Sequence, residues 1–264
     1  MTRTHWILLS ALVGLSLSTQ SKAEEFRFIP RANIGYMDYS LKIPSLPVAP
    51  GFRFPGTKFG VGFKFLELGG TVSWKNYYFS IGGLASTDES DSLTEPTFHY
   101  EEKFTGDRKD ASMVLGMRPT DHLSLYLGWK WGRSKADGTL RSELEFKEDG
   151  FFIGGNYAWN IANKGLLALN VAIARLDGDL TINAPAFTVP GASGGFLLDA
   201  TSQTTGLSYG ISWHGILTDR LTYSLAVDAN IYKFDDIYDK AQGKINGQFD
   251  ERMYIFRAGL AYRF

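Results

Sequence analysis

The chain predicts an all-β fold, a transmembrane antiparallel up-and-down β-barrel of about ten strands with long loops at one end and short turns at the other. Three observations predict it. Segment after segment alternates greasy residues with small or polar ones at period two, which suits a strand lying between two environments and cannot mark a helix face. The connections between these segments alternate long and short along the chain. Aromatic residues gather at segment ends, where a membrane barrel places its interfacial girdles. Eight or twelve strands stay open where a loop is misread, since strand counts in such barrels are usually even.

The elements follow in order. The first strand runs from about Phe26 to Lys42, with Ala32, Ile34 and Tyr36 outward; its greasy parity then moves to Met37, Tyr39 and Leu41, which suggests a bulge. Pro44, Pro47, Pro50 and Pro55 mark a long loop that cannot be a ladder. The second strand, about Lys58 to Ser73, sets Phe59, Val61, Phe63 and Phe65 against Lys58, Gly60, Gly62 and Lys64, slips near Glu67, and resumes with Leu68 and Val72. After a tight turn at Lys75-Asn76, Tyr77, Phe79 and Ile81 carry the third strand into an acidic loop over 86–109. Met113, Leu115 and Met117 mark the fourth strand, and Pro119-Thr120-Asp121 turns it.

The clearest strand follows, with Leu123, Leu125, Leu127, Trp129 and Trp131 outward against Ser124, Tyr126, Gly128 and Lys130. Beyond a loop at 134–141, Phe151, Ile153, Tyr157 and Trp159 form the sixth strand, and Leu167, Leu169, Val171 and Ile173 the seventh. The longest loop, 178–202, holds Pro185, Pro190 and Gly191 to Gly195. Leu207, Tyr209, Ile211 and Trp213 mark the eighth strand, and Leu221, Tyr223, Leu225 and Val227 the ninth. A loop over 235–248 leads to the last. Trp74, Tyr77, Trp159, Trp213, Tyr223, Tyr262 and Phe264 are expected at one rim, and Tyr39, Trp131 and Phe234 at the other.

Targeting agrees with this architecture. Arg3, an apolar run from Trp6 to about Leu17, and small residues around Lys22 read as a secretory signal peptide over 1–23, cut after Ala23, leaving a barrel domain over 24–264. A membrane anchor would need roughly 20 apolar residues, more than this run supplies. The chain has no Cys, which excludes a lipidated Cys, a disulfide scaffold and thiol chemistry. Its net charge of −1 argues against a nucleic-acid partner, which needs a concentrated positive field.

The closing stretch alternates Tyr254, Phe256, Ala258, Leu260, Tyr262 and Phe264 against Met253, Ile255, Arg257, Gly259, Ala261 and Arg263. A final strand of this form ending in Phe resembles the Gram-negative outer-membrane β-barrel proteins. That resemblance implies location in the cell outer membrane, insertion by a barrel-assembly machinery that reads Tyr262 and Phe264, and outer-membrane lipid and lipopolysaccharide as surroundings. A single-chain, monomeric barrel is expected, with no cofactor and no metal.

The lumen narrows the functional classes. Eight strands leave room only for side chains, whereas sixteen leave a channel, and ten lie near the closed end. The predicted inner wall carries Lys58, Lys64, Lys130, Asp228 and Arg257. A final hairpin with its tip between Gln242 and Gly243 sets Leu221 opposite Phe264, Tyr223 opposite Tyr262, and Asp228 opposite Arg257. A structural ion pair there explains two inward charges better than a gate does.

Three function classes remain: a structural or surface-recognition barrel first, a narrow channel for ions or very small solutes second, a hydrolase at the mouth third. The last is considered through similarity to the omptin proteases, also ten-stranded, which use paired acids and a His at the outer mouth. Here that similarity implies His99 with Asp235 or Asp236, since His122 and His214 fall at the short-turn end. Fold likeness alone does not transfer such chemistry, so no catalytic residue is assigned. The autotransporter translocator domain is another relative in shape, but it carries a lumenal helix that this chain lacks before its first strand.

Overall fold

The computed structural model describes residues 26–49, 52–54, 56–95, 100–161, 164–185, 196–241 and 243–264. The expected signal peptide (1–23), His99, Pro50, Pro55, Pro190 and the run from Gly191 to Gly195 lie outside these residues.

Fourteen strands follow one another: β1 Phe26–Ile43, β2 Leu46–Ala49, β3 Phe52–Phe54, β4 Thr57–Trp74, β5 Tyr77–Ser86, β6 Glu89–Glu95, β7 Tyr100–Met117, β8 Leu123–Gly138, β9 Glu143–Ile161, β10 Gly165–Ala184, β11 Phe196–Ile216, β12 Leu221–Asp239, β13 Gly243–Lys244 and β14 Phe249–Tyr262. Ten of them build the barrel: β1, β4, β5, β7 through β12, and β14. Each pairs antiparallel with the next, and β14 returns to β1 to close the ring. β6 pairs with β7 above β5, β13 folds onto β12, and β2 with β3 makes a small hairpin apart from the wall.

The four short connections come where expected, after Trp74, Met117, Ile161 and Ile216. In the tightest, Lys75 takes φ 52°, the left-handed conformation a two-residue hairpin turn needs.

The environment of the wall changes partway along the long strands, and β10 shows it best. In its lower half Leu169, Val171 and Ile173 point outward and are exposed, while Ala168, Ala172 and Ala174 face in. From Arg175 the sides trade character. Arg175, Asp177, Asp179 and Thr181 now point out, and Leu176, Leu180 and Ile182 are buried inside. The strand itself has not slipped, because its ladders to β9 and β11 run unbroken from Gly165 to Asn183.

The lower half therefore wears an apolar belt. Ile34 is 65% exposed, Leu115 and Ile153 each 61%, and such residues encircle the barrel. A continuous surface of this kind needs hydrocarbon around it. Above the belt the outer face is polar, and apolar side chains fill the inside. Leu41, Phe63, Phe146, Leu180, Phe234 and Phe249 have no exposed surface there. Phe146 meets Phe234 edge-on at 5.1 Å between ring centres. The upper barrel is a packed core of the ordinary water-soluble kind, stacked on a membrane barrel.

This reversal corrects several expectations. β1 has no bulge at Met37 and β4 no slip at Glu67: their mutual ladder is continuous from Phe26↔Trp74 to Ile43↔Thr57. Tyr39 and Phe234 do not belong to an outer aromatic girdle but lie in the core, whereas Trp131 does face out. Lys58 and Lys64 leave the inner wall and point outward, because Phe59, Val61, Phe63 and Phe65 take the inside. Much of the expected loops 86–109 and 178–202 is strand, in β6, β7, β10 and β11.

Two substitutions separate the halves. Val171→Arg, at mid-belt, is expected to destabilise the barrel by about 2–4 kcal/mol in bilayer or detergent unfolding. Asp177→Arg, outward on the same strand above the belt, should change stability by less than about 0.5 kcal/mol.

Candidate functional site

Two layers of charge cross the lumen with a cavity between them. The upper layer lies where the inside turns apolar. Arg108 on β7 is fully buried, and all five of its guanidinium N–H donors find acceptors. Nη1 donates to Ser134 Oγ at 2.9 Å and Glu251 Oε1 at 2.8 Å. Nη2 donates to Glu148 Oε1 at 2.7 Å and Asp110 Oδ1 at 2.9 Å, and Nε to Asp110 Oδ2 at 3.0 Å. Lys130 on β8 reaches Glu148 Oε1 at 2.7 Å, and its ammonium lies 4.6 Å from the Tyr232 ring centre. Arg108 stacks similarly on Tyr39, at 5.1 Å.

Gly132 makes room for this layer. A Cβ there would come within 2.6 Å of Glu148 Oε1 and 2.7 Å of Asp110 Oδ1.

The outward neighbours of Arg108, Glu148 and Glu251 are all charged, so these three groups stand above the apolar belt. Burial and the neighbouring Glu148 push the Glu251 carboxyl well above its usual range. Burial also opposes ionisation of Glu148, but Lys130 and Arg108 outweigh it and hold that carboxyl below its usual range. The two carboxyls are within hydrogen-bonding reach of each other. Each has one buried oxygen, Oε2, with no hydrogen-bond partner. Two carboxyls held this close favour one shared proton over two like charges.

The lower layer lies within the belt. Arg257 on β14 donates to Glu67 Oε2 at 3.1 Å and to Asp228, and Arg31 stands 3.8 Å from Glu67. Between the layers is a cavity of about 240 Å³, lined among others by Asp110, Lys130, Asn170, Asp228, Asn230 and Arg257.

Of the five residues expected on the inner wall, Lys130, Asp228 and Arg257 border this cavity, although Lys130 belongs to the upper layer and pairs with Glu148. The expected register of the last hairpin is corrected by two residues: Leu221 opposes Tyr262, Tyr223 opposes Leu260, and Asp228 opposes Ile255. The hairpin tightens to Asp239 opposite Gly243, whose φ of +79° suits glycine, and one extra residue between Lys244 and Phe249 leaves the pairs below it two residues from the expected register. Arg257 still reaches Asp228 because a diagonal neighbour is within range of a long side chain.

Sequence reasoning missed Arg108, Glu148, Glu251 and Glu67. The signal was present: Asp107-Arg108-Lys109-Asp110, Lys147-Glu148-Asp149 and Asp250-Glu251-Arg252 are runs of charge within strands, and alternation must turn some of each run inside.

At the outer end, Asp235 and Asp236 are exposed, and Asp236 pairs with Lys244 at 2.8 Å. Among the described residues no three His, Asp or Glu side chains converge as a metal site would require. At the lower seam the rings of Tyr262 and Phe264 meet edge-on at 4.8 Å, and Phe264 is 70% exposed.

No protein-family model matches the chain, and neither does any curated protein. Solved structures do. The outer membrane protease OmpT from Escherichia coli matches with a TM-score of 0.52 at 11% identity, over 90% of this chain and 97% of that one. The translocator domain of the autotransporter NalP from Neisseria meningitidis matches with a TM-score of 0.48 at 12% identity, over 97% and 93% of the two chains. Neisserial surface protein A matches with a TM-score of 0.33 at 11% identity, over 90% and 97%. At such identities the likeness to OmpT concerns the fold alone: this chain is a closed, ten-stranded barrel of the outer-membrane type.

Replacing Arg108 with Met strands buried carboxylates without their cation and is expected to cost about 3–5 kcal/mol in denaturant unfolding. A second outcome concerns pH. A carboxyl that binds its proton more tightly when folded lends stability that is whole below the ordinary carboxylate range and is lost as pH rises through its raised value. Stability should therefore fall as pH rises from that range through the raised Glu251 value, and Glu251→Gln should flatten this limb. Glu148 contributes the opposite limb, lost as pH falls below the ordinary range.

Proposed function

We propose that the protein is an integral outer-membrane barrel closed to diffusion, which serves through the rigid sheet it raises beyond the membrane as a structural or surface-recognition element. The observation that carries this reading is the apolar core of the upper barrel. Phe63, Phe104, Phe146, Phe234 and Phe249 fill the lumen from β4, β7, β9, β12 and β14 at once. Beneath them, Arg108 ties Glu148 and Glu251 together across the bore.

A path for ions would have to cross both layers. The lumenal cations that border the cavity, Arg108, Lys130 and Arg257, are each neutralised by a carboxylate within hydrogen-bonding distance. They are therefore held in place and do not line a conduit. The strands above the belt present outward charge on a stiff scaffold, which suits contact with water, sugars or another macromolecule better than a loose loop does.

Export by a cleaved leader and insertion through recognition of Tyr262 and Phe264 accompany this reading, as does action as a single barrel. The test is conductance in planar bilayers after reconstitution. The expected result is insertion without discrete openings, at either polarity and in high salt. Reproducible unit openings in the unmodified protein would replace this reading with the narrow channel.

A further inference from the structure

At the upper edge of the belt, the first outward charged residue is a cation on six strands: Lys64 on β4, Lys109 on β7, Arg133 on β8, Arg175 on β10, Lys233 on β12 and Arg252 on β14. Across β7, β8 and β9 these cations are matched within the wall. Arg133 and Lys147 share Glu145 at 2.5 and 2.8 Å, and Lys109 is 3.5 Å from Asp107.

The opposite face differs. On β12, β14, β1 and β4 a row of Cα partners reads Lys233↔Asp250↔Lys42↔Lys58. Arg252 stands just below it on β14. Among the described residues Lys233, Arg252, Lys42 and Lys58 are all exposed, and none of them forms an ion pair. Lys42 faces Lys58 directly, an arrangement of like charges that destabilises a sheet unless an anion lies between. Asp38 and Asp250 offset two of these four positive charges, and two further acids, Asp91 in a recess shared with Lys58 and Asp235 two residues above Lys233, form no ion pair with them among the described residues.

The face is also shaped. A recess of about 300 Å³ is lined by Asp38, Ser40, Lys42, Lys58, Asp250, Arg252 and Tyr254. Its floor, Tyr254, lies opposite Asp38 and is the last ring of the belt on β14, directly above the exposed pair Phe256 and Tyr36. Four residues up that strand, at about 3.3 Å each, place Asp250 about 13 Å above Tyr254 along the wall. A ligand filling it must be apolar below, anionic above, and long in its polar part.

We propose that this face is a binding site for the phosphorylated saccharide headgroup of an outer-leaflet lipid. Its acyl chains lie against Tyr36 and Phe256, and its phosphates against Arg252, Lys42, Lys58 and Lys233. Three features favour this occupant: the unmatched positive charge, the continuity of the recess with the belt, and its length, which exceeds a single phosphodiester. The inference rests on the outer-membrane reading above and adds to it a defined lipid site.

The test uses the mature barrel in non-ionic detergent, with folding followed by the heat-dependent shift of its gel mobility. Lipopolysaccharide, phosphatidylcholine and inorganic phosphate are titrated separately while the unfolding midpoint is recorded. Lipopolysaccharide is expected to raise the midpoint saturably, and the other two not to. The double variant Lys42→Gln, Arg252→Gln should fold and need about 30-fold more lipopolysaccharide for the same shift. The double variant Lys109→Gln, Lys135→Gln, on the matched face, should behave as the parent.

Equal weakening by both pairs would reduce the effect to general charge and overturn the site. A response to inorganic phosphate equal to that to lipopolysaccharide would overturn the lipid as occupant. No change in the first pair would also overturn the site. In each case the outer-membrane reading survives, since that reading fails separately, if the unmodified chain does not enter bilayers.

Discussion

The structure depends on a change of solvent along its long strands. A pleated strand offers its two faces to two environments, and which face must be apolar depends on what lies outside. Around the belt the outside is hydrocarbon, so Leu169, Val171 and Ile173 face out over an inner wall of Ala. A few residues higher the outside is water, and the same strand must put Leu176, Leu180 and Ile182 inward to gain anything from burial. The backbone continues without a break while the sequence pattern inverts.

That inversion explains where the charged layer lies. At the crossing neither face has a settled apolar partner, and strands there carry charge on consecutive residues, as in Asp107-Arg108-Lys109-Asp110. Outward members meet water or lipid headgroups. Inward members must satisfy one another, and Arg108 does this with Glu148, Glu251 and Asp110, while Lys130 adds to Glu148. Burial, together with the excess of acid, makes the Glu251 carboxyl hold its proton more tightly than usual. Such a layer contributes little net stability, but removing one partner is costly, so it fixes how β7, β8, β9 and β14 sit around the bore. Small residues make this possible: Gly132 leaves space that a methyl group would fill.

Much of this was legible in the residues. Leu123 to Trp131 and Leu167 to Ile173 alternate without ambiguity, and the short turns at Lys75, Pro119 and Leu217 set the order of hairpins. The ring of ten strands followed. What was not legible came from one assumption, that greasy means outward along a whole strand. Under that rule Met37 in β1 and Glu67 in β4 look like irregularities, Phe59 and Phe63 face lipid, and Lys58 and Lys64 face the lumen, each the reverse of what the solvent above the belt imposes. The upper parts of β7 and β10 read as loops because their outward residues are polar. The pairing of Arg257 with Asp228 came from a register two residues out, and a long side chain bridged the difference. Arg108 is hard to read from sequence because charge on both faces of upper β7 hides the alternation.

The most direct measurement of the inversion is site-directed spin labelling along β10, for which the absence of Cys leaves no background. Single Cys residues would be placed at successive positions from 167 to 183 in the reconstituted barrel, and their collisions with oxygen and with a water-soluble nickel chelate compared. The account predicts that 169, 171 and 173 favour oxygen, that 175, 177, 179 and 181 favour the chelate, and that 176, 180 and 182 are shielded from both. A chelate signal at 176, 180 and 182 equal to that at 177 and 179 would mean a water-filled upper lumen and would contradict it.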